Sequence, residues 1–333
     1  MKKLEYTLFS VLFLLLASCN WHKDRLNIDV SDINVPQVRI ERYDQDLFKV
    51  PLNDLKAGLM AIRPKYMFFL GTDLNDTMKL AAMRAYLTNP RTVDFHKACE
   101  IKFPDLSAYE TELTDAFRHY QYYFPGAIIP RFYTYISGGD YENPVQVSGS
   151  YIIIALDTYL GSDFKPYLSD GLSLYKVNSM TPEHIVPDCI RILSEYKCPP
   201  SPTVHTLLDQ MIDAGKRLYI MDALLPAVNG NLKIKYSPEQ FDWVTKNESH
   251  VWAAMIENGM LYSSNSQLHR AFFADGPNSA SFGKESPPRL GEWIGWRIVK
   301  SYMDNNTEIT LQQLIYEKDA QKILTQSGYK PEK

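Results

Sequence analysis

The sequence is short of cysteine, of net charge and of long apolar runs. Its 333 residues include 4 cysteines, and 35 basic residues nearly balance 39 acidic ones, for a net charge of −4. The near balance leaves no basic excess to attract a phosphate backbone, so we expect no nucleic-acid partner. Cys99, Cys189 and Cys198 follow Cys19 without any C-x-x-C spacing, which argues against a zinc ribbon and a complete disulfide framework. One continuous helix would separate Cys189 from Cys198 by roughly 13 Å, too far for a bridge.

The compact catalytic motifs are missing as well. The sequence contains no G-x-S-x-G nucleophile elbow, no phosphate-binding glycine loop and no H-E-x-x-H pair. Common hydrolase and nucleotide-binding mechanisms therefore have no direct support in the chain.

The N-terminus carries the signature of a bacterial lipoprotein. A basic start precedes the apolar run Leu8 to Leu16, which is too short to span a membrane. The run ends in Leu16-Ala17-Ser18-Cys19, which matches the lipobox. We predict a lipoprotein signal peptide over residues 1–18, lipidation of Cys19 and a lipidated tether over residues 19–35. Acyl chains on Cys19 would hold the protein to a membrane, since each buried methylene contributes ~0.8 kcal/mol. An ordinary secretory signal with a coincidental cysteine is the alternative.

The first half of the body reads as mostly helical. Val38 to Tyr43 alternates in the manner of a half-buried strand. Helices are predicted over Leu52 to Ile62 and Thr77 to Leu87, each ending before a proline, and Ser107 with Glu110 predicts a capping box. We therefore predict a helical N-terminal lobe over about residues 39–130.

The second half mixes strands and helices. Arg131 to Ile136 and the apolar run Tyr151 to Leu156 predict two strands, the second buried on both faces. Thr181, Ser201 and Ser237 each precede a proline, which predicts three helix starts. A largely buried helix is expected over residues 291–303, and Thr310 with Gln313 predicts a capping box. The predicted class is α+β, predominantly helical, with a small β-sheet packed against helices.

The stretch from Tyr151 to Pro226 resembles the core of a zinc peptidase of the H-E-x-x-H type. Such enzymes need two histidines one helical turn apart, a glutamate base and a third ligand from a following helix. Here His184 is the only candidate first ligand, Asp188 takes the second position and Asp213 the third. Ile185 occupies the position of the general base, and Pro187 is expected to disturb the helix. Each candidate also has a plain structural interpretation, as a helix-start histidine or a solvated acid.

Three further residues follow the buried strand. Asp157, Tyr159 and Gly161 are candidates for the floor of a binding cleft, or else a simple strand end and turn. The 22 tyrosines, with Trp293 and Trp296, are expected mainly in the core.

Several stretches together resemble the gliding-motility lipoprotein family GldB over about residues 36–331. They are the lipobox, Tyr151–Gly161, Met211–Lys216, Trp293–Trp296 and Ser301–Met303. The resemblance implies a single GldB-like domain with a zincin-related core over about residues 131–303 that lacks an intact H-E-x-x-H helix. It also implies a lipid-anchored, periplasmic protein of the cell envelope, within a protein complex linked to gliding and protein secretion. No catalytic residue is carried over, because the positions that would hold one do not match.

These inferences predict a non-catalytic, peptidase-like scaffold that needs no cofactor and whose cleft recognises a protein segment. Two alternatives stay open. One is an unusual zinc-dependent metallohydrolase that uses His184, Asp188 and Asp213. The other is a surface lipoprotein that binds glycans through exposed aromatic side chains.

Overall fold

The structure is a computed structural model that describes residues 25–201 and 205–331. The lipobox, Cys19 and the start of the predicted tether lie outside the described residues. The described chain is mostly helical and contains one small sheet, which confirms the predicted α+β class.

The sheet has four strands in the order β1-β2-β4-β3. They are β1 (Ile40–Glu41), β2 (Arg131–Tyr135), β3 (Val145–Ser148) and β4 (Tyr151–Ala155). β1 and β4 run parallel to β2, and β3 returns antiparallel to β4. The strands predicted over Arg131 to Ile136 and Tyr151 to Leu156 are therefore present and adjacent. β3 was not predicted, and the predicted strand over residues 38–43 is reduced to two residues.

Helices surround this sheet. Before β2 the described chain forms α1 (Tyr43–Phe48), α2 (Leu55–Leu70), α3 (Thr77–Thr88), α4 (Pro90–Lys102) and α5 (Ser107–Tyr123). After β4 come α6 (Lys165–Ser169), α7 (Leu174–Val177), α8 (Ile185–Lys197), α9 (Leu207–Leu224), α10 (Gly230–Ile234), α11 (Pro238–Glu257), α12 (Ser266–Phe273), α13 (Leu290–Asn305), α14 (Leu311–Tyr316) and α15 (Ala320–Ser327). Short 3₁₀ turns lie at Leu52–Asp54, Leu156–Thr158, Pro182–His184 and Ala280–Phe282. None of these described helices has the length and hydropathy that a membrane crossing requires.

Two hydrophobic cores lie on opposite faces of the sheet, because side chains alternate along a strand. Phe132, Ile152 and Ile154 face the larger core, and Tyr133 faces a smaller one formed with α1, α2 and α3. Within the predicted N-terminal lobe, α1 to α3 contribute to the smaller core, and α4 and α5 contribute to the larger one. Both cores are built from residues within 26–323, so a chain that begins at Asn20 retains every described element.

The segment from residue 25 to 35, predicted as part of the tether, packs on this body. Leu26 is 7% exposed and belongs to the larger core. The Arg25 guanidinium donates to the backbone carbonyls of Met303 and, at 2.7 Å, Ile309. Arg25 and Leu26, which precede residue 36, therefore contact the packed body.

Two helix boundaries differ from prediction. α2 continues past Pro64 to Leu70, with a kink in which Tyr66 has φ −122°. A proline inside a helix removes one backbone N–H hydrogen bond and bends the helix axis. Packing of Tyr66 in the smaller core offsets this cost. The helix predicted to begin after Ser201 begins at Leu207 instead, because Thr206 forms a capping box with Asp209.

The predicted capping box at Ser107 is wrong. Ser107 is already inside the helix, and the Glu110 side chain turns to β1. Its carboxylate accepts the Ile40 N–H at 2.9 Å and pairs with Arg39 at 2.8 Å. The predicted helix start at Ser237 and the predicted capping box at Thr310 are both present.

α9 and α13 approach each other closely enough for their backbones to meet. Gly215 on α9 meets Gly295 on α13 backbone to backbone: a Cβ on Gly295 would overlap the Met211 carbonyl oxygen and lie 3.0 Å from Met211 Cα. A Cβ on Gly215 would lie 2.8 Å from the backbone nitrogen of Trp296. Two of the stretches that carry the family resemblance thus meet in one helix crossing.

Candidate functional site

A polar cleft of about 210 Å³ opens beyond the carboxyl end of β4. Its walls come from the turn after β4, from α7, from the first turn of α8 and from the segments that precede α11 and α13. The lining residues are Tyr141, Glu142, Pro144, Thr158, Tyr159, Leu172, Tyr175, Lys176, Ser179, Met180, Asp188, Lys235, Asp275 and Arg289. This cleft brings two predicted site residues, Tyr159 and Asp188, to one surface.

A buried carboxylate with two partners forms the floor of the cleft. The Asp188 side chain is 5% exposed, and its two oxygens lie 2.8 and 2.9 Å from Lys235 Nζ. The Tyr159 hydroxyl donates to the same carboxylate at 2.8 Å. Burial, with the nearby Asp188 charge, raises the pKa of Tyr159 well above its usual range, so this hydroxyl stays protonated and donating. Lys235 compensates the buried charge of Asp188, which leaves a closed ion pair rather than an open metal ligand.

Two cations of the cleft have unusual backbone conformations. Within the described residues, Lys235 and Arg289 are the non-glycine positions with positive φ, each at +56°. This left-handed region costs an L-residue roughly 1–2 kcal/mol. The Arg289 guanidinium bonds the Ile234 carbonyl at 2.8 Å and so ties the two strained segments together. Strain of this kind concentrates at ligand-binding positions, which supports a functional interpretation of the cleft.

His184 lies beside this floor but outside the helix. It ends the 3₁₀ turn before α8, is 6% exposed, and its Nδ1 lies 3.0 Å from the Thr181 hydroxyl. Burial lowers the pKa of His184 to about 4, an effect that the Asp188 charge opposes. The imidazole is therefore neutral at neutral pH.

This pKa predicts an acid-sensitive contribution to stability. The folded-state pKa of His184 lies below its usual value of 6.5, so the unfolded chain binds a proton first as pH falls. Stability is complete above about pH 6.5 and declines by about 3 kcal/mol as pH falls to about 4. His184→Gln should flatten this part of the curve of unfolding free energy against pH, measured by urea denaturation. His250→Gln, at an exposed position, should keep the wild-type slope. An unchanged slope in His184→Gln would contradict the assignment.

The proposed zinc ligands do not form a ligand set. Asp213 lies on α9 and accepts the Ser201 N–H at 2.9 Å, while Asp188 is paired with Lys235. Over residues 25–201 and 205–331, no three His, Cys, Asp or Glu side chains are arranged to hold a metal ion. The residues present therefore do not fit the zinc site of the H-E-x-x-H enzymes. Pro187 is not the reason: it falls in the first turn of α8, where its missing N–H has no intrahelical partner.

Asp157 and Gly161 do not line the cleft but lie in turns next to its lining residues. The Asp157 carboxylate is fully buried and accepts the Ser137 N–H at 2.7 Å, the Ser137 hydroxyl at 2.8 Å and the Gly138 N–H at 2.9 Å. Burial raises the pKa of Asp157, and these hydrogen bonds oppose that rise. Gly161 takes φ +118°, a region that favours glycine. Both residues hold turns in place, as in the strand-end interpretation.

The remaining candidates lie elsewhere in the body. Cys99, Cys189 and Cys198 are buried free thiols, and the helix between the last two runs unbroken to Lys197. Trp293 and Trp296 are buried, each with its indole N–H on a buried carboxylate, Glu248 or Asp222.

Sequence reasoning missed three cations of the cleft, Lys176, Lys235 and Arg289. Lys235 and Arg289 lie in loops that contain no recognisable sequence motif. No sequence signal predicts a left-handed backbone conformation at a lysine or an arginine. Pro288 before Arg289 marks a loop boundary only.

Comparison with known proteins gives one family. A family model described as "Gliding motility protein GldB" matches residues 23–331. Neither a curated protein nor a solved structure matches this chain.

Proposed function

Because this chain belongs to the GldB family of gliding motility proteins, we propose that it is a lipid-anchored, non-catalytic scaffold of the cell envelope. Its cleft binds a segment of a partner protein in the machinery for gliding and the linked protein secretion. The strand, helix, helix order of β4, α8 and α9 supports a peptidase-like origin for this scaffold. The protein lies on the periplasmic side and is held there by acyl chains on Cys19.

The observation that carries the proposal is the closed ion pair at the cleft floor. Asp188, predicted from the sequence as the second metal ligand, is held by Lys235 and Tyr159. A carboxylate held in this way is a poor general base, because its charge is compensated and its oxygens are engaged. What remains is a polar recess with charges of both signs, suited to holding a polypeptide.

The surroundings of the cleft fit an extended segment. Glu142 and Pro144 line its rim and lead directly into β3, the strand at the edge of the sheet. An edge strand offers backbone groups to a peptide that adds a further strand, while a nearby recess selects side chains. Lys176 and Glu142, joined at 2.6 Å across the rim, offer charges of both signs.

Site-specific photocross-linking in the native host tests this proposal. Benzoylphenylalanine in place of Tyr175, a half-buried cleft residue, should give a discrete adduct with an envelope protein. The control is the same replacement of Tyr196, which is 67% exposed at the far end of α8. In the same strain, Cys19→Ala should abolish incorporation of an alkyne-tagged fatty acid and impair gliding. Cys198→Ala should leave the label in place.

Two results would overturn the scaffold proposal. The first is cleavage of a peptide library by the purified protein, lost in Asp188→Asn. The second is an equal pattern of adducts from positions 175 and 196. Retention of the acyl label in Cys19→Ala would overturn the anchor separately.

A further inference from the structure

A second cavity, of about 470 Å³, lies on the other face of the sheet. α2 contributes Leu59, Phe69 and Leu70 to its walls, and α3 contributes Leu80, Met83 and Tyr86. Its volume is typical of small-molecule sites, and its lining is mostly apolar. An apolar lining holds water poorly, because water needs two or more polar partners.

α3 lies over this cavity as a loosely packed cover. Of its residues only Leu87 is buried, while Leu80, Met83 and Tyr86 on its inner side are half-buried. Both ends of the helix are fixed: Asp76 caps its N-terminus, and the Tyr86 hydroxyl donates to the Ile136 carbonyl at 2.5 Å. The apolar inner side of α3 therefore lacks packing partners that a bound apolar group would supply.

The charge at the cavity selects the kind of ligand. Lys79 is the charged residue of the lining, and the lining contains no acid. Its side chain is 66% exposed and its ammonium lies 4.0 Å from the Asp76 carboxylate, a distance and exposure at which an ion pair contributes little. Lys79 is therefore available to an anionic group that stays in solvent while an attached chain enters the cavity.

We propose that the cavity between α2 and α3 binds a fatty-acid-class amphiphile, with its hydrocarbon tail against Phe69 and Met83 and its anionic head at Lys79. This site is independent of the cleft beyond β4, and it does not rest on the scaffold function. The turn at Ser137, held by Asp157, closes one end of the cavity.

Calorimetric titration of dodecanoate into the purified chain from residue 20 tests the site. Wild type should bind one dodecanoate per chain, with much weaker binding of dodecyltrimethylammonium. Met83→Trp should weaken dodecanoate at least about tenfold, because the indole fills the space of the tail. Met78→Trp, the same change at an 81% exposed position on the same helix, should leave affinity unchanged.

The head group is tested by charge reversal. Lys79→Glu should weaken dodecanoate about fivefold, the size expected of one exposed ionic contact. Arg84→Glu, on the exposed side of α3, should not weaken it. Thermal unfolding in the absence of ligand identifies any variant that fails to fold. Equal affinity of the two dodecyl compounds, or full binding by a folded Met83→Trp protein, would overturn the proposal.

Discussion

Gly295→Ala should lower the unfolding free energy by about 3 kcal/mol, although alanine is the better helix former by about 1 kcal/mol. The added methyl group would overlap the Met211 carbonyl oxygen on α9. Backbone atoms cannot rotate away as a side chain can, so α9 and α13 must separate. Separation would disturb packing along the central helix pair of the larger core. Urea unfolding of the chain from residue 20 measures this effect.

The partner and control variants make the prediction specific. Gly215→Ala should also destabilise, since its methyl would collide with the backbone of Gly295. The double variant should lose less than the sum of the two, because one separation of the helices relieves both overlaps. Gly276→Ala, where the nearest atom is an oxygen 3.9 Å away, should stay within about 0.5 kcal/mol of wild type. A Gly295→Ala protein as stable as the Gly276→Ala control would show that the crossing is looser than described.

The helices that carry these two glycines can be predicted from the sequence, but the contact between the helices cannot. Met211–Lys216 and Trp293–Trp296 each carry a glycine inside a predicted helix, which is costly unless packing requires it. The sequence predicts both helices, and it even selects these stretches as family markers. The sequence does not show that the two helices are in contact, because contact between positions 80 residues apart depends on the whole fold.

The strands and caps that were predicted share one property: the signal is local. The run Tyr151 to Leu156 is apolar and β-branched, and Thr310 with Gln313 fits a capping box in a span of four residues. The failures involve tertiary competition. Glu110 is placed correctly for a capping box, yet it bonds β1, because the buried Ile40 N–H needs an acceptor.

At the candidate site, too, local sequence signals identified some residues, and a long-range contact was missed. Tyr159 and Asp188 were chosen from their positions after the strand and on the following helix, and they meet at 2.8 Å. Lys235, which completes the ion pair, lies 47 residues beyond Asp188 in a loop without any motif. Zinc-ligand spacing assumed that His184 is helical, whereas the helix begins one residue later, at Ile185.

The second large effect concerns a buried ion pair that links α9, α10 and α13. Asp222 Oδ1 accepts Lys233 Nζ at 2.7 Å, and Oδ2 accepts the Trp296 indole N–H at 2.6 Å. The side chains of Lys233 and Asp222 are only 4% and 11% exposed. Little solvent therefore screens their charges, and each charge depends on its partner.

Asp222→Leu should lower the unfolding free energy by about 3–5 kcal/mol, because it leaves the Lys233 ammonium buried without a counter-charge. Lys233→Met should also destabilise the protein, because it leaves the Asp222 carboxylate buried without a counter-charge. Asp222→Leu combined with Lys233→Met should recover to within about 2 kcal/mol of wild type, the remainder being the Trp296 N–H without its acceptor.

An exposed ion pair provides the control for this cycle. Lys246 and Asp242 are 2.7 Å apart but 71% and 61% exposed, so Asp242→Ala should change stability by less than about 0.5 kcal/mol. Urea denaturation of all four variants gives the coupling energy between Asp222 and Lys233. If the double variant loses the sum of the single losses, the two charges do not compensate each other. The loss of stability would then come from lost packing around the two replaced side chains.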